Sequence, residues 1–541
     1  MRSSLLFSSL CLPLFGYAAP QKKAADPTVS IASGTIVGTA TAVSNQPSVT
    51  GLANAYLGVP YAKSPPLRFA PPEAPAAWST PLKAQQLPPA CLQQFLPGSD
   101  GEREREYFNN PGLSPPAESE DCMYLNVFAP QDASPTNLKA VMFWVFGGNL
   151  QIGTASLAYY NGSSLAVNHD VVVVAINYRT NMFGFSNSPE IAAGKQNSGF
   201  LDQRFALQWV QDNIKHFGGD PTKVTIFGES AGGYSIKQLL ANPPNPLPFR
   251  AAIMESQQAL RAGNGLVSYN QVAANFGCAL ALSPLACLRK VSGTAIQQYI
   301  SNNSVDFPPV TNDGTDSGSQ TLPAIESGKF ADVPILIGTN KDEFTVFLAI
   351  LGLNPQVSGV SSAAQAIAPA LSNQVITALT STYPQSVVDD ADALLSRIIT
   401  DFIFTCTTST FSSAIASAGR QPVWRYRYDA SFANLQFFPN AGAYHSSEIP
   451  LVYGTYLNNQ NGPVTQDEVQ LSMYMQNAWA SFAKDPSGGP GWPRLGSNNG
   501  VELGVLGGTN KTNGESTQNL LVADYPCVVL DPILIASGEA Y

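Results

Sequence analysis

Charge is scarce in this chain of 541 residues: Asp, Glu, Lys and Arg together make up 12%, about half the share of an ordinary globular protein. The charge present leans acidic, with 28 Lys and Arg against 38 Asp and Glu and a net charge of −10. That balance excludes nucleic acid and an anionic membrane surface as partners, because both need a basic footprint. Histidine is scarcer still. Only His169, His216 and His445 occur, so a mechanism that needs an imidazole has three places to find it. Past the N-terminus no run is apolar for long enough to span a bilayer, which excludes stable membrane insertion. HExxH, CxxC and a phosphate-binding P-loop are also missing, and no metal or organic cofactor is expected.

What is present begins with export. Arg2, the apolar stretch Leu5 to Leu14, and the small residues Gly16 and Ala18 form a secretory signal over residues 1–18, cleaved after Ala18 or Ala19. The mature chain is expected outside the cell. Cys11 leaves with the signal, so six of seven cysteines remain: Cys91, Cys122, Cys278, Cys287, Cys406 and Cys527. An even number in an oxidising compartment implies disulfides, and pairing of sequence neighbours is the simplest arrangement. Asn161, Asn302 and Asn510 lie in N-x-S/T sequons and are candidate glycosylation sites.

Hydrophobic residues make up 44% of the chain, enough for a packed interior. Ala140–Phe146 and Val171–Asn177 are continuous apolar runs, the signature of strands buried on both faces of a mainly parallel sheet. Asp202–Phe217 repeats Leu207, Val210, Ile214 and Phe217 at helical spacing. A strand at Val224–Phe227, a helix from about Ala231, and strands at Ala251–Met254, Val333–Ile337 and Val423–Tyr428 follow. This alternation predicts an α/β fold with helices on both faces of the sheet. Residues 343–421 read as a helical insertion covering one end of it.

The chemistry centres on Gly228-Glu229-Ser230-Ala231-Gly232, placed between a strand and a helix. A nucleophilic serine has to project from a very sharp turn, and side chains two residues away on either side would collide there. A serine also needs a base. His216 lies in the preceding helix and His169 at the wrong end of a buried strand; both read as surface or structural residues. His445 follows the strand Val423–Tyr428, where catalytic groups in open α/β sheets gather. The acid should follow a strand too, and after Val333–Ile337 both Asp342 and Glu343 qualify. The order serine, acid, histidine is that of an α/β-hydrolase. Backbone N–H groups of Gly148, Asn149 and Ala231 are the candidate oxyanion donors, because Gly147-Gly148 ends the strand beside the turn.

Five segments carry a resemblance: YLGVPYAKSP at 56–65, SEDCMYLNVFAP at 119–130, the stretch 201–233 ending in GESAGG, GTNKDEF at 338–344, and AYHSSEIPLVYG at 443–454. The chain resembles the type-B carboxylesterase/lipase family, which contains cholinesterases and fungal secreted lipases. The likeness runs from about Gly34 to the C-terminus. It implies an α/β-hydrolase with helical insertions over the active site and one domain over 27–541. Length alone, at about 150 residues per domain, would suggest more. The resemblance selects Glu343 over Asp342 as the acid. It also implies the pairs Cys91–Cys122, Cys278–Cys287 and Cys406–Cys527. The family's oxyanion loop usually has three glycines and an aromatic; here it reads Gly147-Gly148-Asn149-Leu150. A backbone N–H survives at Asn149, which tolerates a left-handed backbone, so altered substrate choice is expected. The 91–122 loop is the lid in related lipases. Here it is charged at 102–106, lacks a Trp, and contains no long amphipathic helix; an aromatic cage for a quaternary ammonium is not supported there.

The leading expectation is a secreted serine carboxylesterase acting on a small-molecule or lipid ester, with no oligomeric state implied. Alternatives are a triacylglycerol lipase or sterol esterase, an acyltransferase or lactonase of secondary metabolism, and a non-catalytic cholinesterase-like binding module. His445 and Glu448 could mimic a metal-ligand pair, but two isolated groups make a poor site.

Overall fold

In the computed structural model the described residues are 26–43, 51–258, 264–316, 318, 321–458, 461–496 and 502–537. The secretory signal, its cleavage point and Cys11 lie outside them. Eleven strands form the large sheet. In chain order they are β1 (Thr39–Ala42), β2 (Leu52–Pro60), β3 (Tyr124–Pro130), β4 (Lys139–Val145), β5 (Val171–Ile176) and β6 (Gly219–Glu229), then β7 (Ala251–Glu255), β8 (Ile335–Asn340), β9 (Val423–Tyr428), β10 (Glu502–Leu506) and β11 (Glu515–Asn519). Their spatial order is β11-β10-β9-β8-β7-β6-β4-β5-β3-β2-β1. From β5 to β10 all neighbours are parallel. The two edges are antiparallel. A small second sheet joins Thr28–Ile31, Gly34–Val37 and Leu82–Lys83.

The all-apolar runs lie where their composition demands. β4 and β5 are adjacent, and every residue of both is buried. The predicted strand Val333–Ile337 starts later and runs further, at Ile335–Asn340. Pro334 has no N–H to give a ladder, and its carbonyl accepts from Ala252 N at 3.1 Å instead. β6 likewise extends beyond the predicted Val224–Phe227, because Gly219 pairs with Lys139 before the register shifts. The helix predicted at Asp202–Phe217 is Ser198–Asn213 followed by a 3₁₀ turn, Ile214–Phe217. Gly218 ends it at φ 82°, a left-handed cap that suits glycine.

Residues 345–418 are mostly helical and build an apolar cluster of their own around Leu395, Ile399 and Phe404. The Cys406–Cys527 disulfide ties this cluster to the C-terminal helix, and Leu530 and Leu534 complete it. Cys91–Cys122 and Cys278–Cys287 form the other two bridges. Three bridges suit a chain that folds in an oxidising compartment. The 91–122 loop holds one short helix, Gly98–Phe108, formed by the charged run itself. Among the described residues no helix is long and apolar enough to cross a membrane. Asn302 and Asn510 are exposed, whereas Asn161 is partly buried and its Oδ1 accepts from Ser163 N at 3.0 Å.

Candidate active site

β6 ends at Glu229, and the helix Ala231–Ala241 starts two residues later. Ser230 is the whole connection, at φ 55°, ψ −122°, a backbone that few non-glycine residues adopt. Two bonds pin it: Ser230 N donates to the Glu255 carbonyl at 2.9 Å, and Tyr234 N donates to the Ser230 carbonyl at 2.8 Å. The flanking glycines answer a steric need. A Cβ at Gly232 would lie 2.0 Å from the Val145 carbonyl oxygen, and one at Gly228 2.6 Å from the same atom.

The oxyanion-loop candidates sit against this turn. A Cβ at Gly147 would lie 2.9 Å from the Ser230 Cβ and 2.7 Å from the Glu229 carbonyl oxygen. Gly148 stands at φ 101° and Asn149 at φ 54°. Gln151 N and Ile152 N donate to the Gly148 carbonyl at 2.9 and 3.0 Å, closing the loop. The Asn149 amide donates to Gln151 Oε1 at 3.1 Å. Ala231 opens its helix, so its N–H has no acceptor within that helix.

Glu343 and His445 come from loops after β8 and β9 that are stitched together. Asp342 N donates to the Ala443 carbonyl and Ala443 N to Asp342 Oδ2, both at 3.0 Å; His445 N donates to the Glu343 carbonyl at 3.2 Å. The side chains then meet, with His445 Nδ1 2.6 Å from Glu343 Oε2. The other Glu343 oxygen accepts from Ser256 Oγ at 2.6 Å and Asn340 N at 2.7 Å. Of the two acids left open by residue type, Glu343 faces the imidazole and Asp342 holds the backbone of the neighbouring loop. Phe404 and Phe347 pack on the His445 ring at 4.9 and 5.2 Å. Phe404 is delivered by a π-helical segment, Asp401–Thr405, a distortion that often marks functional sites.

His445 Nε2 lies 3.1 Å from Glu229 Oε1, and Ser230 Oγ donates to the Gln258 carbonyl at 3.4 Å. Serine and histidine share one cavity, but the hydroxyl is turned away from the ring. Closing that bond takes a rotation about the serine side chain, and such bonds commonly tighten only with substrate. The remaining histidines stand apart. His216 is exposed. His169 is buried, and burial pushes its imidazole down to about 4, which keeps it neutral.

Glu229, Ser256 and Gln258 have no role assigned from the sequence, and Glu448 has only that of a poor metal-ligand mimic. Glu229 precedes the serine, Glu448 follows His445 by three, and Ser256 and Gln258 follow the strand Ala251–Glu255. Glu229, Glu255 and Glu448 form a buried acidic group. Burial pushes Glu229 up to about 7 and Glu255 up to about 8. Burial and the neighbouring carboxylates hold Glu448 well above the usual range. Burial alone would lower the His445 imidazole, but the carboxylates of Glu229 and Glu343 outweigh it and raise the pKa. A base works when neutral, so activity should rise as pH climbs through that raised value. Glu229→Gln removes one of the raising charges. The acid limb of kcat/KM against pH is therefore expected to move to lower pH; an unmoved limb would show that Glu229 does not act on the imidazole.

The cavity holding Ser230 and His445 has a volume of about 290 Å³ and is lined mainly by apolar and aromatic side chains. That is the small end for ligand sites, roughly 300–1,000 Å³. Leu96, Tyr107 and Phe108 of the 91–122 loop form one wall, and Phe347, Ile350 and Phe404 of the helical insertion form another.

A mostly parallel sheet flanked by helices, with a serine on a strained strand-to-helix turn and an acid–histidine pair on later loops, is the α/β-hydrolase fold. The chain belongs to the carboxylesterase family, whose model matches residues 25–520, and it is a carboxylic ester hydrolase. It is 33% identical over 471 residues to an acylcarnitine hydrolase of Mus musculus, covering 81% of each chain. It is 33% identical to a cocaine esterase of Homo sapiens, again covering 81% of each. With carboxylesterase 1E of Rattus norvegicus it shares 33% identity over 83% of this chain and 86% of that one.

Proposed function

We propose that the protein is a secreted serine carboxylesterase that works through an acyl-enzyme, with residues 27–541 acting as one domain. The observation that carries this is a serine at φ 55° in the same cavity as an imidazole held 2.6 Å from a buried carboxylate. Ser230 turns from the Gln258 carbonyl to His445 Nε2, gives up its proton there and attacks the ester carbonyl. The oxyanion is met by the N–H groups of Gly148, Asn149 and Ala231. The alcohol leaves with the proton from His445. Water, deprotonated by the same nitrogen, then frees the acid. Glu343 keeps the imidazole tautomer and balances the imidazolium without taking the proton.

The deciding experiment is labelling with a fluorophosphonate, followed by peptide mapping. The adduct is expected on Ser230; an unlabelled protein would sink the serine-esterase reading. Asn149 supplies a second test. It already stands in a left-handed conformation, so Asn149→Gly keeps the backbone while removing a side chain from the cavity wall. The relative rates on bulky and slim p-nitrophenyl esters are expected to shift. A uniform rate change across the series would count against a role in substrate choice.

A further inference from the structure

The catalytic cavity has no lysine or arginine among its lining residues but has two carboxyl groups. One, Glu229, faces His445. The other, Glu104, comes from the helix Gly98–Phe108 and takes no part in the mechanism above. Its single hydrogen bond among the described residues is to Leu96 N, at 2.7 Å on Oε2. The arginines beside it are engaged elsewhere. Arg103 pairs with Asp100 at 2.7 Å and donates to the Ile350 carbonyl at 2.8 Å. Arg105 lies over the Phe95 ring at 4.4 Å and donates to the Gly101 carbonyl at 3.2 Å. The carboxyl group thus faces a largely apolar cavity with no ion-pair partner among the described residues. Burial pushes it up to about 7, against the Leu96 N–H and the Arg105 charge, which pull it down. An ammonium placed beside it would restore the carboxylate, since an adjacent opposite charge favours the ionised form. Tyr107 and Phe108 of the same helix also line the cavity.

Resting on the esterase reading, we propose that Glu104 is a specificity-determining residue that selects esters bearing a protonated, N–H-donating amine away from the scissile bond. The amine would donate to the Glu104 oxygen not taken by Leu96.

The test compares two isosteric butyrates, the 2-(dimethylamino)ethyl ester and the 3-methylbutyl ester. The pH is held at about 8, above the carboxyl and below an alkyl ammonium. Glu104→Gln keeps an oxygen for Leu96 N–H, so the helix Gly98–Phe108 retains its anchor. The readout is the kcat/KM ratio of amine to hydrocarbon ester, which does not depend on how much enzyme is correctly folded. The wild type is expected to favour the amine, and the variant to lose about tenfold of that ratio, as for a hydrogen bond to a charged group. A ratio within twofold of wild type would overturn the proposal. The trimethylammonio analogue has no N–H and should respond less to the substitution; an equal response overturns the hydrogen-bonded form. If wild type cleaved neither ester, the esterase reading itself would fail, and the inference with it.

Discussion

Ser230→Ala is expected to lower kcat on a p-nitrophenyl ester by on the order of 10⁶, and His445→Ala by a similar factor, with the double variant no worse than either. The reason lies in how the groups act. A serine without a base and a base without a nucleophile both leave only the oxyanion donors and the cavity, so the second loss removes nothing further. Stability should barely change on losing the hydroxyl, because Ser230 Oγ makes only a long 3.4 Å bond to Gln258. Steady-state rates with a thermal melt on the same samples would check both points. Additive losses, each small, would mean that the two residues do not act as one unit.

The second large effect separates two neighbouring acids. Glu343→Gln is expected to cost about 10⁴ in kcat, the scale seen when the orienting acid of such a triad becomes an amide and fixes the wrong tautomer. Glu343 Oε2 is the atom 2.6 Å from His445 Nδ1, and a glutamine there can present an N–H to a nitrogen that must itself donate. Asp342→Asn should leave the rate within a few fold. Its Oδ2 accepts from Ala443 N, and an amide oxygen can do the same. Its cost should fall on stability, by about 1 kcal/mol. The ratio of the two kcat values measures the assignment directly, and equal losses would overturn it.

The contrast between these acids shows where sequence reading ran out. The Gly-x-Ser-x-Gly turn was legible because its constraint is local: two Cβ atoms that would strike the Val145 carbonyl forbid anything but glycine. His445 was legible because the sequence has three histidines, and of the other two His216 lies in the helix before the serine turn and His169 at the wrong end of a buried strand. Asp342 and Glu343 were not separable from residue type and position. The choice depends on which side chain meets an imidazole 102 residues further on, and only the family likeness pointed to Glu343. Glu104 was illegible for a related reason. The charged run 102–106 has no marked apolar face of its own, and which of its carboxyls turns inward is set by Leu96, Phe95 and Ile350, none of them in the run. Strand limits slipped where pairing depended on a partner, as at Pro334 and at the Gly219–Lys139 junction.

The contacts of Gly147, Gly228 and Gly232 carry a consequence for anyone who would redesign this enzyme. The first belongs to the oxyanion loop and the other two to the serine turn, yet a methyl group at any of them strikes the β4–β6 seam. These positions form a single interlocked joint that cannot be diversified piecemeal. A mutagenesis library that spares the joint and spends its diversity on Asn149, Glu104 and the Phe347–Phe404 wall should keep a high fraction of folded clones while sampling new substrate preferences. A library that randomises the glycines should yield mostly unfolded chains.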